Sequence, residues 1–276
     1  MALRINTNPV SLRAQQNLNN AQAGLTKNVE RLSSGLRINR AGDDAAGSSI
    51  SSKLSADTRS LKQASRNTND AISVIQTAEG ALGEINGVLT RMRELAVQSA
   101  NGGTMTSTER GYIDQEFQLL ESELNRIVGV TEFNGQKLID GQLSGGVDFQ
   151  VGMNNTTSDR IGLSIADSDS TALGLNDDSV SSQTGAQAAI NALDSAIQSI
   201  ATNRVTLGTT QNRLTVTLSN LANMHENLSA ANSRIKDADI AEESASMTRN
   251  QILQQAGVAV LAQANMLPQS ALSLIG

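Results

Sequence analysis

Two places in the sequence put acid–base chemistry within reach. His225, the one histidine among 276 residues, is followed directly by Glu226, and Asp43 stands beside Asp44. A histidine–carboxylate couple can move protons near neutral pH, and paired carboxylates can share a proton or hold a cation. Neither constellation is completed. A zinc-binding helix of the H-E-x-x-H type needs a second histidine one turn further on, and there is none. With no cysteine in the chain, thiolate nucleophiles, thiolate metal sites and disulfides are excluded together. No glycine-rich phosphate loop or dinucleotide motif occurs. Adjacent acids ahead of an apolar-periodic segment suit a helix N-terminus, where carboxylates accept from free backbone N–H groups. His225 falls on a seven-residue register, where a polar residue helps to align helices. The expectation is a protein that is no enzyme and uses no metal or cofactor, and whose chemistry resides in its surfaces.

Composition narrows those surfaces. Apolar residues make up 38% of the chain, against about 45–50% in a typical globular domain. The aromatic residues are Phe117, Phe133, Phe149 and Tyr112, and tryptophan is absent, so a thick core is not expected. The two prolines, Pro9 and Pro268, lie near the ends and leave the interior free for long helices. A net charge of −6 and a pI near 4.9 oppose a nucleic-acid binder that relies on phosphate neutralisation. No apolar run approaches a membrane span. The longest candidate, Ala256 to Leu267, is broken by Gln263 and Asn265. Asn6, Asn8, Arg13, Gln15 and Gln16 leave no apolar signal-peptide core, which points to a cytosolic or unconventionally exported protein.

The elements follow from apolar spacing. Ala14, Leu18, Ala21, Leu25, Val29, Leu32 and Leu36 recur in steps of three and four, one stripe on a helix. A joint containing Gly35, Gly42, Asp43 and Asp44 follows. A second helix then runs to Asn101-Gly102-Gly103, with Ile72, Ile75, Leu82, Ile85, Leu89, Met92 and Ala96 on one face. From Asp44 to Asn101 such a helix is about 85 Å long, against about 50 Å for a compact globule of this chain length. Thr106 and Glu109 have capping-box spacing for a third helix to about Val128. Asn134-Gly135 is a hairpin signal. Val147, Phe149 and Val151, then Ile161, Leu163 and Ile165, alternate as strands do. The polar stretch 144–185 reads as solvent-exposed. Leu193, Ile200, Leu207, Leu214, Leu221, Leu228 and Ile235 then fall at strict seven-residue intervals, a coiled-coil seam. Ile190, Ile197 and Leu218 form the companion row, interrupted by Arg204, Gln211 and His225. Leu253, Val260, Leu267 and Leu274 continue the interval.

The predicted fold is mainly α. It is a long antiparallel, coiled-coil-like helical rod with a small β-hairpin region at the tip and paired terminal helices. Residues 1–42 carry a net charge of +5 and residues 237–276 one of −3, which favours the two ends lying side by side. Residues 1–42 with 237–276 are expected to form a terminal domain, 43–141 with 187–236 the rod, and 142–186 a β-rich, surface-exposed part of the rod. Thin terminal helices return little apolar burial for the backbone entropy they lose. They are therefore expected to order when neighbouring copies cover them, through Leu18, Leu25, Leu32, Leu253, Val260, Leu267 and Leu274.

Several longer motifs carry a resemblance. The opening ALRINTN (2–8), ERLSSGLRINRAGDDAAG (30–47), RMRELAVQSANG (91–102), TEFNGQKLIDG (131–141), RIKDADIAEESASMTRNQIL (234–253) and the ending QANMLPQSALSLIG (263–276) resemble bacterial flagellin, in order and at both ends. The resemblance implies a subunit that is exported unfolded through a type III apparatus and folds beneath a cap at the growing tip. It would polymerise with its own copies into an extracellular flagellar filament for motility. The short middle implies a flagellin without large outer domains. A hook–filament junction protein of the same flagellin-like family is the alternative. A soluble adhesin or receptor ligand, and a flagellin carrying an inserted protease domain, fit the sequence less well. Implied partners are an export chaperone shielding 237–276, the filament cap, the junction proteins and Toll-like receptor 5, with neither nucleic acid nor membrane insertion. For that receptor the matching positions are Arg91, Leu95 and Glu116, with Gln98 and Asn101 at the edge, and the same residues are expected to serve rod packing. The triplets at Asn154, Asn155 and Asn227 match N-x-S/T. By the same resemblance, however, the Ser/Thr-rich stretch 156–184 is the better candidate for O-linked sugars.

Overall fold

The computed structural model describes residues 7–176 and 178–272, with side chains as far as Met266. Helices α1 (Pro9–Ser34), α2 (Ala45–Ser99) and α3 (Ser107–Val130) come first. Strands β1 (Glu132–Phe133), β2 (Gln136–Lys137), β3 (Val147–Gln150) and β4 (Arg160–Leu163) follow, then α4 (Gln183–Lys236) and α5 (Ile240–Leu272). The fold is mainly α, with the strands confined to two small antiparallel pairs. The chain divides into two compact units, one made of 1–58 with 227–276 and the other of 59–226. The division falls inside α2 and α4, at 58/59 and 226/227.

In the first unit α1 and α5 lie antiparallel. Asn8 Nδ2 donates to the Ala264 carbonyl (2.8 Å) and Gln254 Nε2 to Gln22 Oε1 (2.6 Å), while Arg31 Nη1 meets Glu243 Oε1 (2.6 Å). Asn8 caps α1 by accepting from Val10 and Ser11 N–H, and Pro9 occupies the first turn, where a missing N–H costs nothing. Gly35, with φ +70°, ends α1 in the left-handed conformation that glycine adopts without strain. The chain then pairs with the end of α4 and the link to α5. Arg37 N–H donates to the Lys236 carbonyl (2.7 Å) and Ala238 N–H to the Gly35 carbonyl (2.9 Å). Arg37 Nη2 reaches the Ile235 carbonyl (2.6 Å). Asn232 joins α4 to the opening turns of α2, accepting from Ser51 (2.7 Å) and donating to Ser55 (3.2 Å).

The Asp43–Asp44 pair divides its work. Asp44 caps α2 by accepting from Gly47 N–H (2.8 Å). Asp43, expected to do the same, instead closes the joint. Its Oδ2 accepts from Asn39 and Arg40 N–H, and its Oδ1 pairs with Lys27 (2.9 Å). The turn at 39–43 aims the first carboxylate backward, away from the helix it precedes.

In the second unit α2 and α4 also run antiparallel, tied by Arg93–Asp194 (2.6 Å) and Glu79–Arg204 (3.9 Å). Ile75, Leu82, Ile85, Leu89, Met92 and Ala96 are buried as expected, with Ile72 half-buried. Helix α3 turns back onto α2, opened by the reciprocal Thr106–Glu109 capping box and held by Arg110 Nε on the Ser99 carbonyl (2.9 Å). Phe117 and Leu124 carry it into the core. Between β1 and β2 the turn has positive φ at Asn134 (51°) and Gly135 (80°), the two-residue geometry that Asn-Gly favours.

The β3–β4 pair sets Phe149 opposite Ile161 and Val147 opposite Leu163. Asn67 Nδ2 holds it to α2 through the Gln150 carbonyl (3.1 Å). It thus lies beside residues 61–67 and 212–224, while the segment around Val180 lies beside the end of α2, the Val180 carbonyl accepting from Ser99 Oγ. The stretch 144–185 is also less exposed than its composition suggests. Ile161, Leu163, Ile165, Leu173, Leu175 and Val180 are buried, and so are Ser168 and Ser170. Reciprocal hydrogen bonds between Asn125 and Ser170, both 2.9 Å, satisfy the polar groups that this burial takes from water.

The Lys27 ammonium, then the Arg40 and Asn39 N–H groups, hold the Asp43 carboxyl well below its ordinary 3.8, at about 2. A carboxylate whose folded-state pKa is depressed stabilises the fold above its unfolded value and loses that contribution as pH falls through the folded one. The joint is therefore expected to weaken between about pH 4 and pH 2. A carboxyl NMR titration of the folded chain should place Asp43 near 2. Lys27→Met should raise that midpoint, and an unchanged midpoint would remove Lys27 as the cause.

Candidate assembly interface

The contact between α1 and α5 is built from small and polar side chains. On α1 the buried positions are Ala14, Ala21 and Asn28, seven residues apart. On α5 the buried positions are Glu243 and Ala264. Gly257 lies against Leu18, and Gly24 lies under the Asn250 carboxamide. Small residues bring two helix backbones close but bury little apolar area.

The large apolar side chains stand elsewhere. Leu18, Leu25 and Leu32 are half-buried. Leu253 and Val260 are 52% exposed on α5, together with Ile252 at 60% and Val258 at 55%. Val10, Leu12 and Val29 are exposed on α1. Helix α5 is apolar on several faces, and the face bearing Gly257 and Ala264 allows the nearest approach. Leu267 and Leu274 lie outside the residues whose side chains are described. Covering one exposed leucine returns about 1.5–3 kcal/mol. What these side chains can do is bind other apolar helices.

In the second unit the α4 seam goes inward. Leu193, Ile200, Leu207, Leu214 and Leu221 are buried there, whereas Leu228 and Ile235, in the first unit, are half-buried. The companion row differs from the expected one. Ala189, Ala196 and Thr210 are buried, while Ile190, Ile197 and Leu218 are half-buried, as are Gln211 and His225 beside them; Arg204 is exposed. Close packing against α2 favours the smaller row.

The Arg91 group is divided by the surface. Arg91 donates from Nε and Nη2 to Glu116 Oε1 (3.1 and 2.8 Å) and from Nη1 to Glu94 (3.1 Å). These carboxylates hold the guanidinium pKa above its ordinary value, Glu116 contributing most. Gln98, Asn101 and Glu116 are exposed, but Leu95 is only 2% exposed and packs into the core. Leu95 therefore supports this surface from below. Beside β3 and β4 an open cleft of about 650 Å³ is lined by Leu61, Met153, Arg160, Val216 and Met224. Its acid, Asp159, is bound by Thr156 and Asn154, and Arg160 by Asn155 and Gln150. Among the described residues no three His, Asp or Glu side chains converge as a metal site, and no helix is long and apolar enough to cross a membrane.

Residues 5–144 match the bacterial flagellin N-terminal helical region, and residues 190–275 match the C-terminal helical region. The chain belongs to the bacterial flagellin family. It is 47% identical to a flagellin of Halalkalibacterium halodurans over 272 residues, covering 98% of this chain and 99% of that one. It is 42% identical to a flagellin of Bacillus subtilis over 305 residues, covering 99% and 100%. The crystal structure of Bacillus cereus flagellin superposes with a TM-score of 0.51 at 34% identity, over 56% of this chain and 88% of that one. A putative flagellar hook-associated protein from Vibrio parahaemolyticus shares the fold at 14% identity, with a TM-score of 0.58 over 71% of this chain and all of the other. The flagellin regions leave 145–189 unmatched, the stretch whose partners in this family member are least visible in sequence. Asn28 and Glu243, buried in the α1/α5 contact, were not singled out by the sequence. The signal for Asn28 was its seven-residue spacing from Ala14 and Ala21, a polar residue on an otherwise apolar row.

Proposed function

We infer that the chain is a structural subunit that polymerises with copies of itself into a bacterial flagellar filament. The observation that carries this reading is the inverted packing of the α1/α5 pair, with alanine, glycine and asparagine inside and Leu253, Val260, Ile252 and Val258 outside. Such a pair is complete only when other apolar helices cover it, and identical subunits supply those helices. Family matches over nearly the whole length of proteins named flagellin support the filament role over a hook–filament junction role. Assembly outside the cell follows from that role. Before assembly, residues 237–276 need a cover, a task assigned here to a flagellar export chaperone. The filament cap and the junction proteins are the contacts at the two ends of the polymer.

The exposed Arg91, Gln98 and Glu116 are assigned as a surface that Toll-like receptor 5 reads, with Leu95 holding the helix in place beneath. The preset ion pair supports this, since a guanidinium already oriented by two carboxylates loses little freedom on binding.

Leu253→Lys combined with Val260→Lys is expected to abolish filaments under electron microscopy while leaving the helicity of the second unit intact, and normal filaments would contradict the reading. Arg91→Ala should weaken the response in a receptor reporter assay. An undiminished response would remove Arg91 from the receptor surface.

A further inference from the structure

The α1/α5 contact repeats itself. Ala14, Ala21 and Asn28 on one side, and Glu243, Asn250, Gly257 and Ala264 on the other, recur every seven residues. Sliding one helix by a heptad exchanges Ala14 with Ala21, or Gly257 with Ala264, so these small residues by themselves distinguish registers weakly.

One end of the contact differs. Asn28 is 5% exposed. With its nitrogen donating to the Gly24 carbonyl (2.7 Å), its oxygen accepts from Met247 N–H (2.8 Å) and Ser246 Oγ (2.9 Å). One turn on, Arg31 Nη1 meets Glu243 Oε1 at 2.6 Å, and Glu243 as a residue is 9% exposed. We propose that Asn28, Arg31 and Glu243 are positioning residues that select the register of α1 against α5. A slip in one direction sets Arg31 near Asn250 and leaves Glu243 enclosed beside Gly24 with no cation. A slip in the other carries Arg31 past the first residue of α5, away from Glu243 and toward Lys236 at the end of α4. Either leaves a desolvated charge without its counter-charge, which costs far more than the packing changes. A single buried polar residue fixes register in coiled coils in the same manner. The register in turn decides where Leu253 and Val260 stand relative to Leu12 and Val29, and so which apolar surface another copy meets. The selection acts between two segments of the same chain, so its test reads out separately from the filament reading on which the ordering of these helices rests.

The absence of cysteine makes a disulfide test unambiguous. A Cβ built at Gly257 lies 3.8 Å from Leu18 Cβ, the usual separation across a disulfide. Full-length chain carrying Leu18→Cys and Gly257→Cys, oxidised where circular dichroism shows the terminal helices formed, should close an intrachain bridge seen as a mobility shift at monomer mass. Leu18→Cys with Asn250→Cys or with Ala264→Cys should not close. Adding Asn28→Leu, Arg31→Met and Glu243→Met should lower the native bridge about fivefold and raise a slipped one, with helicity unchanged. Retention of the native bridge alone would overturn the proposal. Where the triple variant fails to pair, Arg31→Glu should lose the native bridge and Arg31→Glu with Glu243→Arg should restore it. A double variant that does not restore it would likewise overturn the proposal. Loss of polymerisation with the bridge intact would count against the filament reading alone.

Discussion

Two helices that approach closely enough to place alanine and glycine between them must carry their leucines and valines on other faces. That constraint governs the first unit. Ala14, Ala21, Gly257 and Ala264 permit the approach, and Leu253, Val260, Ile252 and Val258 are displaced by it. Apolar burial contributes in proportion to the area removed from water, so the α1/α5 contact by itself yields little against the cost of ordering two long helices. The remaining stabilisation has to come from outside the chain. A filament of identical subunits provides it, and the family to which the chain belongs makes such filaments.

The second unit solves the same problem internally. Three helices and the segment 144–182 surround a continuous core, in which Phe117, Leu89, Met92, Leu138, Ile139 and Leu163 touch no solvent or almost none. Here the seven-residue row of α4 has neighbours on the inner side and loses its leucines to the interior. The segment after β4, which carries no helical period, is held by hydrogen bonds at serine and asparagine. The same chain thus contains one unit with a continuous core of its own and one whose large apolar side chains lie mostly outside its helix contact.

This difference also explains what was legible in the sequence. Signals set by neighbours in sequence came through, such as the Thr106–Glu109 capping box, the Asn134-Gly135 turn and the glycine that ends α1. The α4 seam was legible because one face dominates. Periodicity marked Leu253 and Val260 as an apolar row of α5 without showing that Gly257 and Ala264 make its contact with α1. Ala189 and Ala196 were overlooked beside Ile190 and Ile197, since hydropathy favours the larger side chain and close packing the smaller. The burial of Ser168 and Ser170 was invisible, because Asn125, which satisfies Ser170, lies 45 residues away. Within the Arg91 surface the spacing of Arg91 and Leu95 placed them on one side of α2, and the neighbouring α3 decided that only the arginine reaches water.

Amide hydrogen exchange across α1 and α5, compared between dilute monomer and polymer, tests the dependence on neighbouring copies most directly. The account predicts rapid exchange in both helices of the monomer and slow exchange in the polymer, with the core of the second unit protected in each. Equal protection of α1 and α5 in the two states would show that the pair is stable alone and would contradict it.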